Sequence, residues 1–121
     1  MVRGIRGAID VSENSKEEIL EKTEHLLRQM LSKNQVDSKA IAAVFFSATP
    51  DLNAAFPAAA ARKIGLVSVP LFSSVEIAVP GALPRIVRIL ILLNTERSQD
   101  DIFHIYLGEA KNLRPDLAAE E

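Results

Sequence analysis

The run Ile86-Val87-Arg88-Ile89-Leu90-Ile91-Leu92-Leu93 is the most aliphatic stretch of the chain, and it carries an arginine near its start. Branched and long apolar side chains suit a strand, and strand alternation puts Val87, Ile89, Ile91 and Leu93 on one face and Ile86, Arg88, Leu90 and Leu92 on the other. Both faces of this strand are therefore expected to be covered. Arginine stays protonated in proteins, and a covered, unpaired charge costs several kcal/mol, roughly, so Arg88 calls for a fixed carboxylate or phosphate partner, internal or bound.

The rest of the chain reads as elements around that strand. Val2 to Val11 alternates as a half-buried first strand, with Ile5, Ile9 and Val11 opposite Arg6, Ala8 and Asp10. Ser15 and Glu18 have capping-box spacing, and Ile19, Leu20, Thr23, Leu26, Leu27, Met30 and Leu31 trace the apolar stripe of a helix reaching Asn34. The pairs Glu18 with Lys22 and Glu24 with Arg28 are expected to support its wet side, where His25 is solvated. Ile41 to Phe46 is apolar throughout and predicts an interior strand. Pro57 opens a short helix through Ala58 to Lys63, with Gly65 as its left-handed cap. A third strand is expected over Val67 to Val79, bulged at Ser73-Ser74, then a turn at Pro80-Gly81, the Arg88 strand, and a shorter strand from Phe103 to Leu107. The tail, 114–121, is expected to be mobile.

This order predicts an α+β fold in one small domain spanning residues 1–121, a mixed sheet with helices packed on one face. Open edges and a bare second face favour subunit association. With 121 residues, 48% of them hydrophobic, the chain can bury about two-thirds of its unfolded surface in a single core. A formal net charge of -2 supplies no basic footprint for nucleic acid or an anionic membrane, and no stretch approaches the ~18 apolar residues of a membrane span. Cysteine is absent and only two histidines are present, which removes thiolate chemistry and makes neither a metal nor a cofactor expected. The cytoplasm is the expected compartment.

Strand parity gathers the candidate chemistry. Arg6, Glu76, Arg88 and Tyr106 each oppose the aliphatic row of their own strand, so the odd positions would pack beneath the helices and the even ones would share the second face. Each also has a plainer reading: Arg6 as a solvated residue, Glu76 as the internal ion-pair partner of Arg88, Tyr106 as an amphipathic edge residue, and His104 as structural. Two guanidinium forks suit a substrate with more than one carboxylate, and no activated nucleophile stands out. Fixed positive charge and positioning remain.

The segments Arg3-Gly4-Ile5-Arg6-Gly7-Ala8, Ser47-Ala48-Thr49-Pro50-Asp51-Leu52 with Phe56-Pro57-Ala58, Ile86-Val87-Arg88, His104-Ile105-Tyr106-Leu107 and Leu113-Arg114-Pro115-Asp116-Leu117 together resemble the small trimeric chorismate mutase family over essentially the whole chain. The resemblance implies isomerisation of chorismate to prephenate by a Claisen rearrangement, without cofactor, in a homotrimer whose sites lie between subunits. It implies that Arg6 and the Tyr106 hydroxyl hold the ether-side carboxylate and that Arg88 reaches the ether oxygen. Glu76 and Ser73 would bond the ring hydroxyl, Phe56, Ala58 and Leu113 would form apolar walls, and Arg62 with the tail would guide the ring carboxylate. The chain departs from many relatives in having Ser73 in place of a cysteine, Ala59 in place of a lysine, and Pro80-Gly81-Ala82 in place of a glycine pair. Ser73 and Glu76 have opposite parity, so their joint role requires the bulge. The competing readings are a small enamine or imine hydrolase on a similar trimer, with Glu76 or His104 handling water, and a non-catalytic binder of a dicarboxylate metabolite.

Overall fold

The computed structural model describes residues 1–116, so most of the expected mobile tail lies outside the described residues. Five strands form one mixed sheet in the order β3-β2-β4-β1-β5. They are β1 (Val2–Asp10), β2 (Ile41–Ala48), β3 (Leu71–Val75), β4 (Ile86–Asn94) and β5 (Ile105–Leu107). The most aliphatic strand, β4, takes the centre, antiparallel to both β1 and β2. The edge strands β3 and β5 run parallel to β2 and β1. A central strand gains most from an apolar sequence because both of its edges are paired and its side chains meet neighbours on either side.

Helices α1 (Lys16–Lys33) and α2 (Ala59–Lys63) lie on one face, where Ile19, Leu26, Leu27 and Met30 of α1 and Ala61 of α2 join Ile5, Ile9, Val44, Phe46, Val87, Ile89, Ile91, Leu93 and Ile105 in one core. Ser15 caps α1 by accepting from the Glu18 N–H at 3.2 Å. Only half of the capping box forms, because the Glu18 carboxylate accepts from the Ser12 hydroxyl rather than reaching the cap backbone or Lys22. The Glu24–Arg28 pair forms at 2.9 Å, and Glu24 also takes Lys63 of α2 at 3.3 Å. Gly7 leaves the sheet open for α1: a Cβ there would collide with the Met30 side chain. Gly65, at φ 95°, ends α2 as expected.

Several expectations are corrected. The third strand is only five residues long, Leu71–Val75, and its register with β2 runs unbroken through Ser73 and Ser74. The irregularity lies in β2 instead, between Ile41 and Ala43. Val75, Ile77 and Val79 are exposed rather than tucked under the helices, because the chain leaves the sheet after Val75. Phe103 is likewise exposed, and β5 starts two residues later than expected. The second face of β4 is covered only at Ile86, which packs with Ala8, Tyr106 and Ala110 beneath the turn Gly108–Asn112. From Leu90 onward that face is open, with Phe45, Phe72 and Leu90 all exposed.

Side chains close the free edge of β1 ahead of β5. The Gln99 amide pairs with the backbone of Gly4 in both directions, donating at 2.7 Å and accepting at 2.9 Å. Two residues on, the Arg6 N–H donates to Nδ1 of His104 at 3.0 Å, so the structural reading of His104 holds. Burial first, then the charges of Arg6 and Arg114, hold the His104 pKa below its ordinary 6.5. A folded-state pKa below the unfolded one means the unfolded chain binds the proton more readily. Stability from this bond is then complete above about pH 6.5 and lost as pH falls through the depressed value. Thermal unfolding midpoints measured between about pH 8 and 5 should decline on the acid side, and His104→Asn, which keeps an acceptor but cannot titrate, should flatten that decline. Parallel curves for the two proteins would contradict the assignment.

Candidate active site

Strand register lines up two rows of side chains across the second face. One runs Phe72, Phe45, Leu90, Arg6, each directly opposite the next. The adjacent row runs Ser74, Ser47, Arg88, Ala8, Tyr106 and crosses all five strands. Residues opposite one another in a sheet share a face, so each row is a line of neighbours about 5 Å apart. Ala8, the small member of its row, is fully buried and packs with Ile86, Tyr106 and Ala110. A cavity of about 350 Å³ opens over these rows, and Arg6, Glu76, Arg88 and Tyr106 all line it, with Ser47 and Ser74. The four side chains grouped by parity therefore line one cavity.

Arg88 and Glu76 meet at 3.0 Å, Nε to Oε2, with the arginine side chain 40% exposed and the glutamate 27%. The Nε–H is buried and makes no aligned hydrogen bond, so charge rather than directed bonding holds this contact. Glu76 lies just past β3, where its N–H donates to the Ala48 carbonyl at 2.8 Å and extends the ladder by one bond. Its Oε2 also accepts from the Ser47 hydroxyl at 2.8 Å. The internal-partner reading of Glu76 is therefore realised, yet the pair faces the cavity, and the guanidinium remains half-exposed to it. Arg6 is exposed, as its plainer reading had it, while Tyr106 is buried and makes no hydrogen bond through its hydroxyl among the described residues.

The backbone just before Arg88 is fixed by Thr49 and Asp51, which follow the end of β2. Asp51 accepts the Arg85 N–H with both carboxylate oxygens, at 3.0 and 3.3 Å, and the Thr49 hydroxyl accepts the Ile86 N–H at 3.0 Å. Arg85 is held at φ 52°, a conformation costly for a residue with a Cβ, and the Asp51 clamp offsets that cost. Asn34, read as part of a turn, is fully buried and grips Phe103 from both sides, accepting its N–H at 2.8 Å and donating to its carbonyl at 2.9 Å. This sets the approach to His104 and Tyr106. A polar residue at a helix C-cap is the only local signal that could have pointed to it.

The remaining predicted residues lie elsewhere in this chain. Ser73 shares its row with Phe46 and Ile89 on the helix side of the sheet, so Ser74, not Ser73, faces the cavity beside Glu76. Ser73 and Phe56 line a second hollow of about 460 Å³ beyond the β3 edge. Ala58 is buried and Arg62 is exposed on α2. Leu113 packs against the Ala8, Ile86 and Tyr106 cluster, next to the first cavity. Arg114 forms a two-point pair with Asp116, Nη2 to Oδ2 at 2.9 Å and Nε to Oδ1 at 3.1 Å, and this bond holds the Asp116 carboxyl below its usual range. Among the described residues no three His, Asp or Glu side chains converge as metal ligands would, and no helix is long and apolar enough to cross a membrane.

A cavity floored by two arginines, with a carboxylate and a phenol, suits a substrate with more than one carboxylate. Residues 2–117 match the sequence model described as chorismate mutase type I. The chain is 52% identical to chorismate mutase AroH of Thermus thermophilus over the full length of both. It is 41% identical to chorismate mutase AroH of Bacillus subtilis, covering 98% of this chain and 94% of that one. A solved chorismate mutase from Clostridium thermocellum superposes with a TM-score of 0.89 at 43% identity, over 90% of this chain and 97% of the other. The chain belongs to the chorismate mutase type I family.

Proposed function

We propose that this chain isomerises chorismate to prephenate in the cytoplasm, in a pocket built on the second face of its sheet and completed by a neighbouring subunit. One carbon-oxygen bond breaks and one carbon-carbon bond forms within a single molecule, and no proton is gained or lost. As the ether bond breaks ahead of the new bond, negative charge grows on the ether oxygen. A guanidinium already in place there stabilises the transition state more than the substrate. Arg88 takes that role: it lines the cavity beside Glu76, and its side chain is 40% exposed. Arg6, with the Tyr106 hydroxyl, grips the ether-side carboxylate, and Glu76 accepts the ring hydroxyl. Leu113 forms an apolar wall. Holding the compact diaxial conformer lowers the barrier further by orientation alone. The observation that carries this reading is the single cavity lined by Arg6, Glu76, Arg88 and Tyr106.

Phe56, Ala58, Arg62 and Ser73 reach no such cavity within one chain, which supports a site shared between subunits of a trimer. The bare row of Phe45, Phe72 and Leu90 and the unpaired edge of β3 offer the surface for a neighbour, whose Phe56 and Arg62 then close the pocket from outside. The hydrolytic and sensor readings have no comparable support, since the family is one of mutases and Nδ1 of His104 is already an acceptor for backbone.

Arg88→Ala should lose about 3 kcal/mol or more of transition-state stabilisation, a fall of at least about a hundredfold in kcat/KM for chorismate. Arg88→Lys should also be severely impaired, because a point charge on a different stem does not reproduce the fork. Parental turnover by Arg88→Ala in an ultraviolet assay of chorismate loss would exclude this role. Sharing of the site predicts complementation: co-expressed Arg88→Ala and Arg62→Ala chains, each defective alone, should regain activity at roughly a quarter of the sites of randomly mixed trimers. Mixed trimers no more active than either parent would rule out a site to which different subunits contribute Arg88 and Arg62.

A further inference from the structure

Glu76 belongs to no strand and has one flexible side chain, yet its carboxylate is held in one place. We infer that Ser47 is a positioning residue for the mutase reaction, and that it acts by pinning Oε2 of Glu76 so that Oε1 is presented to the substrate. This rests on the reading of Glu76 as the acceptor of the ring hydroxyl.

Three observations carry it. Ser47 stands directly opposite Arg88 on β2 and opposite Ser74 on β3, so its side chain shares the cavity row and lines the cavity itself. Its hydroxyl donates to Oε2 at 2.8 Å, the same oxygen that lies 3.0 Å from Arg88 Nε. Oε1 accepts no hydrogen bond among the described residues. The two contacts divide the work. Arg88 attracts the carboxylate but does not aim it, since the Nε–H is misaligned with Oε2. A hydroxyl rotor can align, and a hydrogen bond to a charged acceptor is directional and about twice as strong as a neutral one. Without Ser47, the carboxylate is free to swing so that both oxygens engage the guanidinium, the two-point geometry that arginine and carboxylate prefer. That would withdraw Oε1 from the ring hydroxyl and spend the Arg88 donor intended for the ether oxygen. Ser47 therefore keeps a natural ion pair from closing on itself.

The test is a double-mutant cycle read in steady-state kinetics with chorismate. Ser47→Ala should lower kcat/KM about tenfold, with most of the loss in kcat, because the arrangement matters most when charge develops on the ether oxygen. In a Glu76→Ala background the same change should have almost no effect, since nothing is left to pin. Ser47→Thr keeps the hydroxyl and suits a strand, and should return activity to within about threefold of the parent. A tenfold loss that persists in the Glu76→Ala background, or a Ser47→Ala protein as active as the parent, overturns the role of Ser47 while leaving Glu76 in the site. A Glu76→Ala protein with parental kinetics would instead remove Glu76, and Ser47 with it. Thermal unfolding of each variant separates loss of fold from loss of positioning, and failure of Ser47→Thr to recover activity in a well-folded protein also counts against the inference.

Discussion

The contact between Arg88 and Glu76 is the constraint around which the rest of this molecule is arranged. A cation near the start of the most apolar strand, its side chain 40% exposed, is held by a fixed backbone and a charge partner. Val87 and Ile89, both buried, anchor the strand on either side of it, and the Thr49 and Asp51 contacts lock Arg85 and Ile86 just before it. The side chain then emerges on the opposite face, where Glu76 compensates its charge. An ion pair of this kind adds little to stability once desolvation is counted, and replacing it by apolar residues is often neutral. In the proposed mechanism its value is that charge stands ready, with the reorganisation done during folding rather than during reaction.

Much of this was legible in the chain, because the signals were local. Alternation with period two identified the faces of β1 and β4, helical spacing identified α1, and Pro57 and Gly65 bracketed α2. Parity placed Arg6, Arg88 and Tyr106 on one face, and Glu76, just past the end of β3, joins them at the cavity. What escaped was set by register and by distant partners. Ser73 came from the family resemblance, and its joint role with Glu76 required a bulge, whereas β2 and β3 pair without a break there and Ser74 faces the cavity. Ser47 is an ordinary strand serine until β4 is laid beside it and Arg88 falls opposite. Asn34 contacts a residue 69 positions away, a pairing that no local pattern encodes.

The expectation that both faces of β4 are covered shows the same limit in another form. Apolarity reports that a surface avoids water and does not report what covers it. Ile86 is covered by the chain's own C-terminal turn, while Leu90, Phe45 and Phe72 are bare. Phe45 and Phe72 meet edge to face, their ring centroids 6.0 Å apart, in a geometry that leaves both rings free to pack against a further surface. In the trimeric reading, the residues left over in one chain, Phe56 and Arg62, are the ones a neighbour would bring to the open pocket, so catalysis and assembly depend on the same face.

The most direct examination of the central claim is a pair of crystal structures, one of the empty protein and one with a bicyclic dicarboxylate that mimics the compact rearranging molecule. The guanidinium of Arg88 should occupy the same position in both and lie within hydrogen-bond distance of the ether oxygen of the mimic, with Glu76 still beside it. An Arg88 closed onto Glu76 by two bonds and turned from the ligand, or one that moves into place only when the ligand is bound, would contradict a charge set in advance.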